Sequence, residues 1–129
     1  MTKNFNGDKK MSERLYISVN YSDGAIRLFR ETVRSLNTPP FVKFYINSEK
    51  FLLGIGPDFE KSQTSHKTPK NIYVENGKMV VYSKKFCAIL YNEMRWDKSS
   101  LYRIPGQMMN NDNLAFFELR KAEIFKIEV

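Results

Sequence analysis

Residues 14–37 read RLYISVNYSDGAIRLFRETVRSLN, and this stretch decides the fold. Residues 15–19 are rich in β-formers and are followed by turn residues up to Gly24, which predicts a strand and a hairpin turn. Residues 25–29 predict the returning strand. Residues 30–36 carry apolar side chains at the three-residue spacing of one helix face, so a short helix follows the hairpin.

The rest of the chain repeats this plan. Residues 41–46 and 51–55 predict a second hairpin, and the polar, Ser/Thr/Lys-rich stretch 58–70 predicts a linker. Similar patterns then return, with strands expected at 71–74, 78–82, 101–104 and 114–119, a helix at 84–94, a long turn at 105–113 and an edge strand at 124–129. The Asn-Gly pair before residue 78 is a strong hairpin signal.

The repeat predicts two β-β-α-β-β halves, residues 14–57 and 71–129, after a flexible leader at 1–13. Position by position, Gly24 matches Gly77, Ile26 matches Met79, and the helix positions Val33, Arg34 and Leu36 match Phe86, Cys87 and Ile89. One half alone buries too little surface to be stable. We therefore expect a single α+β domain, mostly β, in which pseudo-twofold halves form a swapped-hairpin or small barrel-like fold.

Charge and cysteine content limit the classes of function. The net charge is +7, with a net +3 in residues 14–57 and a net +3 in residues 70–129, so the excess is not concentrated in a tail. Basic charge favours polyanionic partners without identifying them. The single Cys87 cannot form an intramolecular disulfide, and neither a signal peptide nor a long apolar run is apparent. These features predict a cytoplasmic protein with no membrane association.

The sequence lacks recognisable catalytic patterns. His66 is the sole histidine and falls in the expected linker, and Cys87 has the character of a small core residue. One cysteine and one histidine do not make a zinc site, and no phosphate-binding glycine motif occurs. We expect no enzyme activity, no cofactor and no metal. Most strand aromatics, among them Tyr16, Tyr45 and Tyr82, are expected to fill the core.

Basic side chains gather around the first strand-to-helix junction. Arg27, Arg30 and Arg34 can present one basic face there, and Lys84 and Lys85 begin the second helix. A cation at a helix N-terminus is disfavoured by the helix dipole, whereas an anion is favoured there. This arrangement suggests, without requiring it, that an anion binds.

The segment from Gly24 to Asn37 and the hairpin at 42–53 resemble the AbrB/SpoVT swapped-hairpin family. The resemblance covers about a third of the chain and lies in the first half. It implies interleaved hairpins and DNA binding through arginines, with Arg34 on a family arginine position and one chain supplying both halves. We therefore expect a non-enzymatic protein associated with nucleic acid, with duplex DNA as the expected ligand, as a monomer that mimics a dimer or as a homodimer. The residues expected to contact DNA are Arg27, Arg30, Arg34, Lys43, Lys84 and Lys85.

Two other functions remain open. The chain has the size and composition of a small phage or mobile-element antagonist that binds a host defence protein, a nucleic-acid complex or a nucleotide, and a purely structural subunit would instead expose an apolar patch. A nucleotide site would bring aromatic side chains and arginine together in a concave pocket, whereas DNA binding needs a convex or grooved basic stripe.

Overall fold

The computed structural model describes residues 14–72, 77–109 and 113–125. Within them the chain forms one nine-stranded antiparallel sheet with two α-helices and a short 3-10 helix (Leu119–Lys121). The helices are α1 (Arg30–Ser35) and α2 (Lys84–Met94). The strands are β1 (Leu15–Asn20), β2 (Ala25–Phe29), β3 (Phe41–Asn47), β4 (Leu52–Asp58), β5 (His66–Lys67), β6 (Lys78–Tyr82), β7 (Leu101–Met109), β8 (Leu114–Glu118) and β9 (Glu123–Ile124).

The sheet curls into a nearly closed barrel, which confirms the expected mostly-β, barrel-like α+β class. Its strand order is β5-β3-β4-β8-β7-β1-β2-β6, with β9 beside β7. If β1, β2, β3 and β4 are exchanged with β5, β6, β7 and β8 respectively, every pair of neighbouring strands in this order is reproduced except β1–β2. The counterpart of β1–β2 would be a β5–β6 ladder, which the described residues do not form. That seam is where the barrel stays open.

The two halves interleave, and the register reflects their symmetry. Strand β2 pairs with β6 so that Arg27 lies opposite Val80, and Leu28 lies opposite Met79. Strand β1 pairs with β7 of the other half, and β4 pairs with β8. Each half therefore completes the sheet of the other.

Alternation along the strands separates an inner from an outer face. On β1, Leu15, Ile17 and Val19 are at most 2% exposed and lie in the core. Successive strand side chains point to opposite faces, so Tyr16, Ser18 and Asn20 lie on the outer face. Each fully buried large aliphatic side chain contributes about 1.5–3 kcal/mol. The core also contains Ile26, Leu28, Val33, Leu36, Val42, Leu53, Ile55, Ile72, Met79, Val81, Cys87, Leu90, Tyr91, Tyr102, Ile104, Ala115, Phe117 and Leu119.

Helix α2 begins with a cap that α1 lacks. The Phe86 amide donates to Ser83 Oγ at 3.2 Å, and the Ser83 amide donates to the Gly24 carbonyl at 2.8 Å. Ser83 is an extra residue between strand and helix, because α1 starts directly after β2. The helices therefore align one residue away from the expected match.

Burial confirms this shift. Cys87 and Leu90 are fully buried, like Val33 and Leu36 of α1, whereas Ile89 is 42% exposed. The match of Leu36 with Ile89 is therefore wrong, and the structural counterpart of Arg34 is Ala88. None of the described helices has the length and apolar character needed to cross a membrane.

Two expected loops contain strand. The stretch 58–70, predicted as a linker, holds β5, which pairs with β3. The turn expected at 105–113 is also wrong, because β7 continues to Met109. Pro105 is tolerated in this strand where β7 changes its second neighbour, since β9 pairs at residues 102–103 and β8 from Gly106 onward.

Some expected elements fall partly outside the described residues. Of the strand predicted at 71–74, Asn71 and Ile72 lie in a turn and residues 73–74 are not described. Of the edge strand predicted at 124–129, Ile124 lies in β9, Phe125 follows the strand, and residues 126–129 are not described. The leader expected at 1–13 lies outside the described residues as well.

Candidate functional site

The six residues expected to contact DNA lie on four elements. They are Arg27 on β2, Arg30 and Arg34 on α1, Lys43 on β3, and Lys84 and Lys85 at the start of α2. Lys43 is separated from Arg27 by four strands along the paired order of the sheet, and its Nζ is 3.6 Å from Asp58 Oδ2. Arg30 Nε lies 3.6 Å from Glu31 Oε2. Arg34, Lys84 and Lys85 are exposed.

Lys84 lies near the β1–β2 turn. A Cβ added at Gly24, whose φ is +66°, would come within 3.2 Å of the Lys84 backbone and 2.7 Å of its Cγ. Glycine is thus needed here for both its positive φ and the close approach of α2. This contact places Lys84 near the turn that also carries Asp23, the ion-pair partner of Arg27.

A cavity of about 700 Å³ lies on the outer face of the sheet. Its floor is a row across β2, β1 and β7, where Ser18 is paired with Arg27 on one side and with Arg103 on the other. The cavity is lined by Arg14, Leu15, Tyr16, Ser18, Asn20, Arg27, Phe29, Glu31, Thr32, Lys78, Leu101, Arg103 and Phe125. We call it the outer-face pocket.

The outer-face pocket is basic. Among the lining residues that the structure describes, four side chains are cationic and one, Glu31, is acidic. The Glu31 carboxylate already faces Arg30, which does not line the pocket. Low-dielectric walls that carry one sign of charge raise the local concentration of counter-ions. The pocket therefore attracts anions.

Aromatic rings share the pocket with these cations. The Arg103 guanidinium carbon lies 3.8 Å from the centroid of the Tyr16 ring, in cation–π geometry. Phe29 lies on the same outer face of β2 as Arg27, at the end nearer α1. At the opposite end, the Phe125 amide donates to the Leu101 carbonyl at 2.8 Å, which fixes Phe125 beside β7.

Two pocket side chains have unsatisfied polar atoms. Arg27 Nη2 bonds Asp23 Oδ2 at 3.3 Å, but Arg27 Nη1 is shielded from solvent and has no hydrogen-bond partner in the structure described. Thr32 is fully buried, and its Oγ1 also lacks a partner there. An unpaired buried polar group costs about 1–3 kcal/mol. Because both atoms are shielded from solvent, a ligand in the cavity would not reach them without movement of the surrounding side chains.

Sequence reasoning identified only part of this site. It singled out Arg27 but not Arg14, Lys78 or Arg103, because their proximity depends on strand register. Tyr16 was expected in the core and instead lies on the outer face under Arg103. Tyr45 and Tyr82, also expected in the core, are 50% and 70% exposed. In residues 15–19 the aliphatic side chains alternate with Tyr16 and Ser18. This alternation was the signal that could have placed Tyr16 on the outer face.

His66 and Cys87 lie away from this pocket. The His66 ring stacks on Phe44 with centroids 5.2 Å apart, and burial lowers its pKa. Burial, with a smaller effect of Asp23, raises the pKa of the Cys87 thiol to about 11, so it stays protonated at neutral pH. Among the residues whose placement is described, no three His, Cys, Asp or Glu side chains are grouped to hold a metal ion.

Comparisons with family models, with curated proteins and with solved structures found no match in any of the three.

Proposed function

We propose that this protein is a non-enzymatic binding protein that captures a small anionic ligand in the outer-face pocket. The observation that carries this proposal is the pairing of Arg27 and Arg103 on either side of Ser18, on the floor of a concave cavity. Bound ligand would be withheld from other proteins, which is the sequestering role of a small antagonist.

Size and composition support a small-molecule site. Ligand pockets span roughly 300–1,000 Å³ and combine apolar walls with a few convergent polar groups. The outer-face pocket, at about 700 Å³, lies in that range. Its described lining includes neither histidine nor cysteine, and Glu31 is the single carboxylate among those residues. This composition favours binding over acid–base or nucleophilic chemistry.

The test is calorimetric titration with pyrophosphate, ribose 5-phosphate and the four nucleoside 5′-monophosphates. We expect at least one to bind, and Arg103→Gln to weaken that binding at least about tenfold, since a charge-assisted hydrogen bond contributes about 1.5–3 kcal/mol. Chromatography of the ligand after incubation should recover it unchanged.

Arg120→Gln is the matched control. Arg120 also stacks on an aromatic ring, with its guanidinium carbon 3.9 Å from the Phe51 centroid, but it does not line the pocket. Both variants lose one charge and one cation–π contact. The proposal fails if none of the probes binds, or if the two variants weaken binding equally.

DNA binding is the second candidate, and the exposure of Arg34, Lys84 and Lys85 on the two helices favours it. Phosphate contacts would make such binding strongly salt-dependent. Fluorescence anisotropy with labelled duplex DNA at low and moderate salt tests it, using the triple variant Arg34→Ala, Lys84→Ala, Lys85→Ala. These three residues do not line the pocket, so loss of DNA binding in this variant with ligand binding retained would separate the two functions.

A further inference from the structure

We infer that the ligand of the outer-face pocket is a nucleotide, held with its phosphate toward the arginines and its base toward Asn20, Leu101 and Phe125. This inference rests on the proposed function and specifies the ligand class. It follows from the way that charge, apolar surface and hydrogen-bonding groups are distributed along the pocket.

The charged part of the pocket is the middle and the end near α1. Arg27 and Arg103 flank Ser18 in the middle row. Lys78 lies opposite Phe29 in the β2–β6 ladder, one outer-face position closer to α1 than Arg27. An anionic group seated there would lie beside Arg103 and Lys78, while Arg27, whose Nη1 is shielded from solvent, would contribute its charge from the pocket floor. Phosphate suits this setting because guanidinium groups bind phosphate oxygens through paired N–H donors.

The opposite end of the pocket is apolar and carries an amide. Asn20 lies opposite Leu101 in the β1–β7 ladder, and Phe125 is bonded to the Leu101 carbonyl. Phe125 is 46% exposed, although a large apolar side chain gains by burial. A planar base placed here would cover the Phe125 ring, and stacking on an aromatic side chain accepts any base.

Asn20, which lines this end of the pocket, can supply a hydrogen-bond donor to the edge of a base. Its Oδ1 accepts hydrogen bonds from the Ser22 amide at 3.2 Å and from Ser22 Oγ at 3.0 Å. These bonds assign the carbonyl side of the amide to the turn, and the Nδ2 donor is therefore left for another acceptor. Every nucleobase presents ring nitrogens or carbonyl oxygens that accept such a bond.

The same ligand panel tests the base contribution by calorimetry. We expect the best nucleoside monophosphate to bind at least about tenfold more tightly than ribose 5-phosphate, because base stacking and one hydrogen bond are added. If ribose 5-phosphate binds as tightly as every nucleotide, the nucleotide inference is wrong while anion capture stands. If pyrophosphate, ribose 5-phosphate and the nucleotides all fail to bind, both proposals fall.

Two variants with matched controls locate the base. Asn20→Asp keeps the acceptor for Ser22 but removes the Nδ2 donor, and we expect about tenfold weaker nucleotide binding. Asn47→Asp is its control, because Asn47 ends β3 and its Oδ1 accepts from the Lys50 amide at 3.0 Å in a turn outside the pocket. Phe125→Ala should also cost about tenfold by lost stacking, whereas Phe59→Ala, at a 70% exposed phenylalanine elsewhere, should cost nothing.

Ribose 5-phosphate supplies the internal reference for these variants. Because it has no base, its affinity should stay unchanged in Phe125→Ala, and in Asn20→Asp it should fall less than that of the nucleotide, since only the repulsion of the added charge applies. Equal losses for ribose 5-phosphate and the nucleotide would show a general disturbance of the pocket, and the proposed orientation would be wrong.

Discussion

The two halves of the barrel share a strand plan but differ on the outer face. In the β2–β1–β7 region the outer row is Arg27, Ser18 and Arg103, and it floors a cavity. In the region related to this one by exchanging the two halves, Val80 lies opposite Arg27 in the β2–β6 ladder, and the β5–β3 ladder pairs Lys67 with Phe41. Inner-face residues maintain the barrel, so the outer-face residues can differ between the two related regions.

The β7–β8 and β3–β4 hairpins differ most in the space that surrounds one glycine of each. A Cβ at Gly106 of the β7–β8 hairpin would overlap the Phe116 carbonyl oxygen and the Phe117 ring, whereas one at Gly54 of the β3–β4 hairpin would stay 3.5 Å from Tyr45 Cβ. We expect Gly106→Ala to lower the free energy of unfolding by at least about 3 kcal/mol, since backbone and a buried ring must move. Urea denaturation measures it.

Gly54→Ala is the control in the other hairpin, and we expect it to change stability by less than about 1 kcal/mol. Similar losses in both variants would mean that the close packing of the β7–β8 hairpin is not specific to it.

The two helices differ in how they make folding stability depend on pH above 9. The Cys87 thiol of α2 has a pKa raised by burial from 9.0 to about 11. The unfolded chain therefore loses this proton first as the pH rises. Stability present below pH 9 is lost between pH 9 and 11, by about 2–3 kcal/mol. Denaturation at intervals across this range measures the loss.

Cys87→Ala should flatten the decline between pH 9 and 10 and leave a fall between pH 10 and 12 from Tyr91, whose pKa burial raises from 10.0 to about 12. At the equivalent α1 site, Val33 has no proton to lose. An unchanged slope in Cys87→Ala would contradict the assignment of this loss to α2.

The smallest expected change in stability comes from replacing two buried threonines. Thr32 and Thr68 both have an unpartnered Oγ1 within the described structure, but only Thr32 lines the outer-face pocket. Replacement by the isosteric valine removes an unsatisfied hydroxyl, so each variant should gain about 1 kcal/mol. Thermal unfolding measures the gain.

Calorimetry on the same two variants separates function from stability. We expect both variants to leave ligand binding unchanged, because neither hydroxyl is accessible to solvent. Weaker binding by Thr32→Val alone would contradict this expectation.

Local patterns in the sequence predicted local structure well. The alternation in 15–19, the turn ending at Gly24 and the apolar spacing in α1 gave the first hairpin and helix. The length of β7 was not predicted because Pro105 and Gly106 are turn formers. The structure accommodates both residues at the point where the neighbour of β7 changes from β9 to β8. The expected alignment of the two helices was wrong by one residue because Ser83 is an extra residue that caps α2. The repeat pattern alone does not reveal this extra residue.

The site was less accessible to sequence reasoning. Arg27 was found because it lies near other arginines in the chain. Arg103 reaches the same row only through the β1–β7 register, which local composition does not determine. Long-range strand pairing, and not residue type, brings the side chains of the pocket together.

The interleaved strand order also affects how the chain is made. Strands β1 and β4 are translated early, yet β1 needs β7 and β4 needs β8. During synthesis the first half would leave the ribosome with both edges unpaired until residues beyond Leu114 have emerged. Such distant pairings slow folding and expose strand edges to association. We therefore expect slow folding of the first half and a risk of edge-to-edge association before its partner strands have been synthesised.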